Sequence, residues 1–502
     1  MYAVGARAQE VLPPPQSALV EECLASTEIP VTVKPRSRNY RKLPYGSVPG
    51  YAPLSMDRKD PETVRRAFAG RLFRDLPPIQ PAVLRRFDAF VQNQVRKLPV
   101  VEPMAFDEWL EATNYDEQRK EQLRVAAESC HYQRPSVRQA SHVKSFPKLE
   151  SYSEWKNARM INSRCDVIKA YAGRFIRPIE DVVYDHNFDG ITFIKHVPVE
   201  DRPELVLNLW NAGQTVAETD YKAFESVFAP EFQECCECAL FRHCLAHHPQ
   251  DAEFICRVDA GTNNMKTRDG VRARVAGRRM SGDMWTSLGN GFTNAMVSAF
   301  VAHEMGINIR GLVEGDDGLF VTDRPLEMQF YRDLGMMIEM KEVLRPNHAH
   351  FCGMVFAGHE VIRDPRRFLQ SFGWTHSMIN AGARIMGQLL RAKALSACYE
   401  TPQCPIVGVL ARQALLATRG CSPRFVKDGY HEECPLRDEK DVASFNPTLE
   451  TRDLFALKYG VSVEDQLAVE DAIRRKDFFA VSRILPPPPD VALYEARYVE
   501  VG

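Results

Sequence analysis

The sequence predicts an α+β fold that is rich in helix at both ends and has its sheet in the middle. Apolar residues recur every three or four positions within 61–127, and the same helical period dominates 376–418. Between about 216 and 374, strand-like and helix-like segments alternate. Nearer the C-terminus, Ser462 and Asp465 form a capping pair that predicts a further helix.

The composition is that of an ordinary globular protein. Of 502 residues, 45% are hydrophobic and 26% are charged, which excludes wholesale disorder, a collagen-like repeat and a small disulfide-rich domain. Lys and Arg number 64 against 66 Asp and Glu, so the net charge is −2. A uniformly basic nucleic-acid coat protein is not expected, but an enzyme with local basic patches is compatible with this balance.

The cysteines and the apolar runs bear on the cellular environment. The 13 cysteines follow no regular spacing, which favours reduced thiols over a secreted disulfide framework. The N-terminal segment lacks the charged start and apolar run of a signal peptide, and no stretch of about 18 apolar residues predicts a membrane-spanning helix. We therefore expect any membrane association to need a surface patch or a partner.

An acidic β-hairpin is predicted in the middle of the chain. Short apolar runs at 312–313 and 319–321 flank a four-residue tip that contains Asp316 and Asp317. Two adjacent carboxylates repel each other, and a divalent metal with oxygen ligands relieves that repulsion. A Gly-Asp-Asp sequence occurs by chance in about one chain of this length in ten, so a solvated polar turn is the alternative.

A second acidic pair lies upstream. Asp220 and Glu225 are five residues apart, where a strand is predicted to pass into a helix. If Asp220 faces Asp316, two carboxylates that are distant in the chain can hold two metal ions, which is an arrangement used for phosphoryl transfer. The alternative is that Asp220 only caps the helix.

A polar pattern lies between these two acidic segments. Ser281 and Gly282 precede Thr286 and Asn290, and Gly282 permits an unusual backbone turn. Thr286 and Asn290 are four residues apart, so on a helix they share one face. Their hydroxyl and amide groups can recognise a ribose 2′-hydroxyl, whereas the simpler alternative is a polar helix start with Ser281 as its cap.

Together these three patterns resemble the palm of the RNA-dependent RNA polymerases of positive-strand RNA viruses, nearest the tombusvirus-like and nodavirus-like group. That family has an Asp followed five residues later by an acid, then Ser-Gly-x3-Thr-x3-Asn, then Gly-Asp-Asp. All three occur here in that order within 220–317. One departure is Glu225, which stands where Asp is usual and leaves its reach toward the ribose or Asn290 open.

The resemblance covers about 160–370 and implies a right-hand polymerase with fingers, a palm made of an antiparallel sheet with helices, and a helical thumb. It assigns 1–150 to an N-terminal extension and part of the fingers, and 151–213 to fingers that include motif F. The palm with inserted fingers would span 214–375. The helical thumb and C-terminal tail would span 376–502.

The resemblance also implies a ligand set. The expected cofactor is a pair of Mg²⁺ or Mn²⁺ ions held by Asp220, Asp316 and Asp317. Lys341 is the candidate for protonating the leaving pyrophosphate, and the alternative is a plain surface lysine. The residues expected to bind nucleotide are Lys156, Arg159, Arg164, Glu225, Ser281, Thr286 and Asn290. For the basic residues in 156–164, which resemble motif F, the alternative is a solvated turn.

RNA contacts are expected at basic positions around these motifs. The residues concerned are Lys266, Arg272, Arg274, Arg278, Arg363, Arg366 and Arg367. The first group precedes the Ser-Gly pattern, and the last three belong to a hairpin expected at 351–367, which resembles motif E. A basic arm at 33–44 could lie on RNA or on another part of the protein, or could simply be solvated.

A cluster of cysteines and histidines at 235–248 is a candidate metal site. Cys235 and Cys238 have the spacing of zinc ligands. The sequence predicts one continuous helix for this segment, and a helix can present only some of these side chains to one point. Reduced thiols packed in the core are therefore favoured over a structural zinc site.

The function predicted from the resemblance is replication of a viral RNA genome from NTPs on an RNA template. The expected partners are template and nascent RNA, NTPs, and a viral or host protein that recruits the chain to membrane-associated replication complexes in the host cytoplasm. Three alternatives stay open. A reverse transcriptase shares the palm, a non-catalytic RNA-binding scaffold would incorporate no nucleotide, and a metal-dependent nuclease would degrade RNA without NTPs.

Overall fold

The computed structural model describes residues 8–9, 40–58, 60–74, 76–210, 213–268, 270–426 and 434–498. Most of the basic arm expected at 33–44 lies outside these residues. Among the helices that the structure describes, none is long and apolar enough to cross a membrane.

Helices and strands follow each other along the chain in the order that an α+β fold predicts. The described strands are β1 (Ala8–Gln9), β2 (Arg41–Lys42), β3 (His142–Pro147), β4 (Met160–Ser163), β5 (Ile191–Phe193), β6 (Thr215–Tyr221), β7 (Thr262–Lys266), β8 (Arg272–Ala276), β9 (Ile309–Glu314), β10 (Asp317–Thr322), β11 (Ile338–Val343), β12 (Val355–Ala357), β13 (Glu360–Ile362) and β14 (Trp374–Thr375). The α-helices of the first half are α1 (Pro61–Arg71), α2 (Pro81–Val95), α3 (Phe106–Glu111), α4 (Glu117–Ser129), α5 (Val137–Ala140), α6 (Asp166–Tyr184), α7 (Arg202–Asn208), α8 (Pro230–Cys235), α9 (Glu237–Cys244) and α10 (Pro249–Asp259). Those of the second half are α11 (Thr286–Met305), α12 (Met328–Asp333), α13 (Pro365–Phe372), α14 (Ala383–Glu400), α15 (Val407–Ala417), α16 (Leu449–Tyr459), α17 (Val463–Arg474), α18 (Phe478–Ile484) and α19 (Pro489–Tyr498).

The N-terminal region is helical, as the periodicity of 61–127 predicts. Asp60 caps α1, because its carboxylate accepts the N–H of Thr63 at 2.9 Å. The ring of Phe87 on α2 stacks on Phe232 of α8, with the ring centroids 5.3 Å apart. This region therefore shares its main hydrophobic core with the middle of the chain.

The acidic segments lie in the sheet with strand order β11-β6-β10-β9-β5, which we call the central sheet. Strands β6, β9, β10 and β11 pair in antiparallel fashion. Strand β5 instead pairs in parallel with β9. The expectation of an antiparallel sheet with helices is therefore correct except at this edge, where the short β5 returns from the long helix α6 in the same direction as β9.

A second sheet, which we call the lateral sheet, has the strand order β1-β8-β7-β3-β4. Its strands come from parts of the chain that are far apart in sequence. Strands β7 and β8 form a hairpin, and β3 joins β7 in parallel. Burial alternates along β3 and β8, so one face of this sheet packs inward and the other faces solvent.

Helix α11 lies at the centre of the main hydrophobic core. Its residues 291–302 are buried, and it packs against β5, β9 and β10. The helix ends at Gly306, whose φ of +63° provides the left-handed turn that terminates it. Because α11 supports both strands of the β9–β10 hairpin, it fixes the position of the acidic turn.

The C-terminal region is also helical. Helices α14 and α15 fill most of 376–418, as predicted, and Ser462 caps α17 by accepting the N–H of Asp465 at 3.0 Å. The expected C-terminal tail contains the helix α19 over Pro489–Tyr498. Its Val491 is fully buried in a core that also contains residues of α1 and the lateral sheet.

Candidate active site

Asp220 and Asp317 lie beside each other at the ends of neighbouring strands. Strand β6 ends at Tyr221, and strand β10 begins at Asp317. The register pairs Gly318 with Thr219, so the next step along the ladder places Asp317 opposite Asp220. The two acidic segments that the sequence singles out are thus brought together.

The acidic hairpin is tighter than the four-residue tip expected from the sequence. Glu314 of β9 pairs with Asp317 of β10, which leaves Gly315 and Asp316 as the turn. Gly315 has a φ of +62°, a conformation that a glycine adopts without strain. Because the turn is this short, Asp316 is held immediately beside Asp317.

The buried amide of Asn294 on α11 holds this turn in place. Its Nδ2 donates to the carbonyl oxygens of Gly315 at 3.3 Å and Asp317 at 3.1 Å. Its Oδ1 accepts from the Tyr221 hydroxyl at 3.3 Å, so one side chain ties β6 to the hairpin. Sequence reasoning missed Asn294, although its position one helical turn after Asn290 was an available signal.

The carboxylates at this corner of the sheet repel one another. Burial, followed by the charges of Asp316, Asp220 and Glu314, raises the pKa of Asp317 to about 7. Burial also raises the pKa of Asp220, and Asp316 and Glu339 add to the effect. The protein itself therefore leaves an excess of negative charge at this point.

This donor set fits a hard divalent cation. The carboxylate oxygens of Asp220, Asp316 and Asp317 are ligands that Mg²⁺ and Mn²⁺ prefer, and a cation would relieve their repulsion. Within the described residues, no group of three or more His, Cys, Asp or Glu side chains is already arranged to hold a metal ion. The corner thus offers suitable ligands that would need to close around the ion.

Lys341 lies on the same face of the central sheet as Asp220. Strand β11 pairs with β6 so that Lys341 is opposite Glu218 and Glu339 is opposite Asp220. Because side chains alternate along a strand, all four side chains point to one face. The Lys341 Nζ lies 3.3 Å from a carboxylate oxygen of Glu218.

A cleft of about 1490 Å³ opens on this face of the sheet, and Asp220 and Asp317 form part of its wall. The basic side chains that line the cleft are Lys222, Arg332, Lys341, Arg363, Arg367, Lys393 and Lys458, and the acidic ones besides the corner are Glu150, Glu218, Glu339, Asp364 and Glu400. Burial lowers the pKa of Lys393 to about 7, and its Nζ donates to the carbonyl oxygens of Ser371 and Trp374 at 2.7 Å. Basic side chains next to an acidic corner suit a polyanion that binds together with a metal.

Ser281 joins the start of the polar pattern to β4. Its hydroxyl accepts the N–H of Asn162 and donates to the carbonyl of Met160, both at 3.1 Å. A Cβ at Gly282 would come within 2.9 Å of the Asn162 carbonyl oxygen. Gly282 is therefore required by this close approach. The unusual backbone turn predicted for it is absent, since its φ lies outside the left-handed region.

Thr286 begins α11, and Asn290 lies one turn further along the same helix. The Thr286 hydroxyl donates to the carbonyl oxygens of Met280 and Asp283, both at 2.9 Å. Trp285 occupies the N-cap position, so Ser281 is not the cap of this helix. The helical placement of Thr286 and Asn290 agrees with the sequence prediction.

Arg279 connects Asn290 to Glu225. Its Nε donates to the Asn290 Oδ1 at 3.0 Å, and its backbone N–H donates to the Glu225 carbonyl at 2.9 Å. The guanidinium is buried in ion pairs with Glu237 and Asp259. Sequence reasoning missed Arg279, because its acidic partners are distant in the chain and follow no motif.

Glu225 lies in a short 3₁₀ helix, Phe224–Ser226, directly after β6. Its carboxylate forms an ion pair with Arg71 at the end of α1, with Oε1 and Nη1 3.7 Å apart. The expectation of a helical turn after Asp220 is thus met by a 3₁₀ helix. The partner from the N-terminal region was not anticipated.

Two of the basic residues in 156–164 lie near the surface of the site. The Lys156 Nζ lies 5.2 Å from the centre of the Tyr152 ring. Arg159 is exposed, 3.8 Å from a Glu150 carboxylate oxygen, and it is among the groups that lower the pKa of Asp317. Arg159 is therefore close enough to the acidic corner for its charge to act there.

Two other predicted contacts with ligand are contradicted by burial. Arg164 is 3% exposed, pairs with Asp283 at 2.9 Å and donates to the Asn263 side chain at 2.8 Å, so its guanidinium is fully occupied inside the protein. Arg278, predicted to contact RNA, is also 3% exposed, and its Nε donates to the Leu72 carbonyl at 3.2 Å. Both guanidinium groups connect elements of the fold in the interior of the protein.

The outer face of the lateral sheet carries the predicted basic row. Lys266 and Arg272 are paired across β7 and β8, and Arg274 follows on the same exposed face. Lys144 of β3 is paired with Lys266 and is also exposed, which extends the row by one strand. Sequence reasoning missed Lys144, because it is joined to the row by a parallel pairing between distant segments.

The arginines near the second hairpin have separate environments. Strands β12 and β13 form the predicted hairpin, but Arg366 and Arg367 belong to α13, which follows it. Arg363 pairs with Glu400 at 3.2 Å, and the Arg366 guanidinium donates to the Tyr459 carbonyl at 2.9 Å. Arg367 is exposed at the cleft.

The predicted continuous helix through 235–248 is wrong, since α8 ends and α9 begins on either side of Cys236. The fully buried thiols of this segment are Cys236, Cys238 and Cys244. Both His247 and His248 bond to Glu102, at 2.7 and 2.8 Å. These two histidines are thus tied to the segment between α2 and α3.

Known proteins with similar sequences are viral polymerases. A family model described as viral RNA-dependent RNA polymerase matches residues 61–477. The RNA-directed RNA polymerase of Tobacco necrosis virus (strain A) is 26% identical over 310 residues, which is 56% of this chain and 41% of that protein. That of Melon necrotic spot virus is 23% identical over 367 residues, which is 66% of this chain and 45% of that protein.

A relative from a different host group shows higher identity over a shorter segment. The RNA-directed RNA polymerase of Greasy grouper nervous necrosis virus is 31% identical over 186 residues, 35% of this chain and 18% of that protein. The chain spans less than half the length of the Tobacco necrosis virus and Melon necrotic spot virus polymerases. The family model covers most of the chain, and the resemblance inferred from its motifs is confirmed. This chain belongs to the family of viral RNA-dependent RNA polymerases.

Proposed function

We propose that this chain synthesises RNA on an RNA template from nucleoside triphosphates, as the catalytic part of a viral replicase. The observation that carries the proposal is the meeting of Asp220 and Asp317, with Asp316 in the adjoining turn, at the wall of a cleft with basic side chains. Membership of the polymerase family supports it.

Asp220, Asp316 and Asp317 would hold two Mg²⁺ ions, or Mn²⁺ in their place. When bound, such ions lower the pKa of an attacking 3′-hydroxyl and stabilise the charge on the leaving pyrophosphate. The contribution of the chain is to fix the carboxylates at one corner. Asn294 does this by bonding to the backbone on both sides of Asp316.

The remaining polar residues would position the nucleotide. Asn290 and Glu225 are both bonded to Arg279. The Glu225 carboxylate would accept from the ribose 2′-hydroxyl, and the Asn290 amide would donate to it. Arg159, whose charge reaches the acidic corner, would meet the triphosphate together with Lys156. Lys341, on the same face of the sheet as Asp220, would give a proton to the departing pyrophosphate.

The RNA would lie against basic surface. Lys266, Arg272 and Arg274 would contact phosphates of the template, and Arg363 and Arg367 at the cleft would contact the nascent strand. Base pairing with the template selects the base, so the protein needs contacts with backbone and shape only.

We further propose the right-hand arrangement of the family for these elements. Residues 1–150 would form an N-terminal extension and part of the fingers, and 151–213 would complete the fingers. Residues 214–375 would form the palm with further finger segments inserted into it, and 376–502 the helical thumb and C-terminal tail. The lateral sheet would then belong to the fingers and the central sheet to the palm, with α19 packed back on the N-terminal region.

The proposed place of action is the host cytoplasm, at membrane-associated replication complexes. No described helix can cross a membrane, so a viral or host partner is proposed to recruit the chain there. Co-sedimentation of the chain with membranes, with and without the other viral proteins, would test this step.

The main test is incorporation of labelled nucleotides on an RNA template with Mg²⁺. We expect template-length RNA from the wild-type chain and none from Asp316→Ala. A matched control is Asp323→Ala, because Asp323 follows the other end of the same hairpin, away from the acidic corner, and accepts hydrogen bonds from Asn308 and Gln214. Full activity in this control would separate the acidic corner from a general effect on the hairpin.

Three outcomes would contradict the proposed activity, and a fourth would contradict the proposed site. RNA binding without incorporation, with Mn²⁺ and a primer also supplied, would indicate a scaffold. Preference for deoxynucleotides on the same template would indicate a reverse transcriptase, and loss of RNA without NTPs would indicate a nuclease. Equal product from wild type and Asp316→Ala would remove Asp316 from the site.

A further inference from the structure

Helix α1 ends beside the proposed ribose site. A Cβ at Gly70 would come within 2.2 Å of the Asn157 Nδ2, so α1 lies directly against the segment that carries Lys156 and Arg159. On the other side, the Leu72 carbonyl accepts from the buried Arg278 at 3.2 Å. The backbone on both sides of Arg71 is therefore held by contacts with two other parts of the fold.

Arg71 directs its charge at Glu225. Its Nη1 lies 3.7 Å from the Glu225 Oε1, and the two side chains are only 20% and 23% exposed. Ion pairs with this degree of burial are less weakened by solvent than surface pairs. Burial and the charge of Arg367 lower the pKa of Lys156, and the Arg71 guanidinium adds a smaller effect in the same direction. The charge of Arg71 therefore also acts on a residue that is proposed to bind the nucleotide.

Glu225 needs an external restraint to act at a defined point. Its side chain has one more methylene than the Asp that is usual in the family, and therefore more rotamers to choose from. Its backbone is held by the N–H of Arg279 at 2.9 Å, after the left-handed residue Ala223 (φ 50°). These contacts fix the Cα of Glu225, but they leave the carboxylate free to swing.

Asn290 is restrained from the opposite side. Because the Arg279 Nε donates to its Oδ1 at 3.0 Å, the amide is turned so that Nδ2 remains as the donor. A ribose 2′-hydroxyl between the two side chains could then donate to the Glu225 carboxylate and accept from the Asn290 Nδ2. Such a pair discriminates only when both groups stand at a fixed distance.

We propose that Arg71 is a positioning residue for ribose selection, which holds the Glu225 carboxylate at the distance where it and Asn290 together recognise the 2′-hydroxyl. This inference rests on the proposed function. It gives the N-terminal region a direct part in substrate selection. It also explains how a Glu can stand in place of the usual Asp, since Arg71 supplies the restraint that the longer side chain requires.

The test compares ATP with 2′-deoxyATP as substrates of the full chain on one RNA template. For Arg71→Ala we expect the ratio of the two kcat/KM values to fall about tenfold, because a misplacement of about 1 Å is enough to lose this order of effect. Arg71→Lys keeps the charge and should restore part of the ratio. The control Arg66→Ala, on the same helix and paired with Glu62 at 2.6 Å, should leave the ratio unchanged.

A double variant identifies the route of the effect. If Arg71 acts through Glu225, Arg71→Ala combined with Glu225→Gln should lower the ratio no further than Glu225→Gln alone. Additive losses would overturn the inference, as would an unchanged ratio in Arg71→Ala. If Arg71→Ala is folded but inactive, equilibrium binding of the two nucleotides replaces kinetics, and an equal loss of affinity for both would overturn it.

Failure of this inference can be told apart from failure of the proposed function. A wild-type chain that incorporates no nucleotide under any condition would overturn the function and with it the role of Arg71. A wild-type chain that incorporates ATP well, with Arg71→Ala equally selective, would overturn only the role of Arg71. Thermal denaturation of each variant separates both outcomes from unfolding.

Discussion

The central and lateral sheets each carry charge on one face, but with opposite sign and in a different arrangement. On the central sheet, the carboxylates of Asp220, Asp316 and Asp317 crowd at one corner, and their repulsion contributes to raising the pKa of Asp317. On the lateral sheet, Lys266 and Arg272 are exposed on paired strands, so their charges are spread at the strand spacing of about 4.8 Å.

This difference in charge arrangement indicates which kind of ligand each surface can bind. A focused negative charge at strand ends favours small cations that bring reacting oxygens together. A positive charge spread along strands matches a polymer of phosphates, whose affinity comes from many weak contacts. If this reading is correct, chemistry and strand binding should be separable by mutation of one sheet at a time.

Neutralising Asp220 is expected to have the largest effect. Asp220→Asn keeps the shape of the side chain and removes its charge, so we expect the rate of nucleotide incorporation to fall by about a thousandfold or more. Affinity for RNA should stay the same, because the lateral sheet is untouched. Single-nucleotide incorporation and fluorescence anisotropy with labelled RNA measure the two quantities.

A matched control for Asp220→Asn is Glu342→Gln on β11. Glu342 is an exposed acid of the same sheet, opposite Ala217 and away from the acidic corner. We expect its rate to equal that of wild type. A loss of RNA affinity in Asp220→Asn that parallels the loss of rate would mean that the two sheets do not act separately.

The next effect concerns the link between the sheets. Arg164 follows the last residue of β4 in the lateral sheet, and its buried ion pair with Asp283 ties that strand to the loop before α11. Arg164→Met leaves the Asp283 carboxylate buried without its partner, so we expect the free energy of unfolding to fall by about 3–5 kcal/mol. Urea denaturation measures this loss.

Arg159→Met serves as the comparison for Arg164→Met. Arg159 belongs to the same predicted motif but is exposed, so its loss should leave stability nearly unchanged and raise KM for ATP several-fold. In Arg164→Met, the molecules that remain folded should keep the wild-type KM. A raised KM with unchanged stability in Arg164→Met would restore it to the nucleotide site.

These two arginines also mark what the sequence could predict. The acidic hairpin and the strand end at Asp220 were predictable, because each follows from short-range pattern. Their meeting was only a condition of the metal hypothesis, which named Asp316, whereas the register places Asp317 opposite Asp220. The burial of Arg164 was not, since its main partner Asp283 and the acceptor Asn263 are brought near only by the fold. A basic residue looks the same in sequence whether it faces a ligand or a buried acid.

Pairings between distant segments account for most of what was missed. Lys144 joins the basic row through the parallel pairing of β3 with β7, and Arg71 reaches Glu225 from the N-terminal region. Neither contact has a local signature in hydrophobic period or motif spacing. By contrast, Asn294 lies on a predicted helix one turn after Asn290, and helical spacing could have revealed it.

Removing the basic row is expected to affect binding and not chemistry. The variant Lys266→Ala, Arg272→Ala, Arg274→Ala loses three phosphate contacts, so its affinity for single-stranded RNA should fall by about 10- to 100-fold. The slope of log K against log salt should become shallower by about 2. Incorporation at saturating RNA should stay near the wild-type rate, which single-turnover kinetics would measure.

The control for the basic row removes the same charge elsewhere. Arg242, Arg257 and Arg475 are exposed, and each is paired with an acid within about 3 Å on its own or a neighbouring helix. Their triple replacement by Ala should leave both the affinity and the salt slope nearly unchanged. An equal loss in this control would assign RNA binding to net charge and not to the lateral sheet.

The smallest expected effect tests the charge crowding itself. The pKa of Asp317 is about 7 in the folded chain, against an ordinary value near 4. Because the folded state holds this proton more tightly than the unfolded state, the stability it contributes is present below pH 4 and is lost as the pH rises to about 7. Asp317→Asn should therefore stabilise the metal-free chain at pH 8 by about 1–2 kcal/mol and change little at pH 4.

Urea denaturation in EDTA between pH 4 and pH 8 measures this difference, and Asp323→Asn provides a control of opposite sign. Hydrogen bonds from Asn308 lower the pKa of Asp323, so removing its charge should destabilise the chain at high pH. Adding Mg²⁺ should then stabilise the wild type more than Asp317→Asn, because only the wild type keeps all three carboxylates for the ion. A wild-type chain that gains stability from Mg²⁺ no more than Asp317→Asn does would show that the crowded corner is not a cation site, and the contrast between focused and spread charge would lose its chemical meaning.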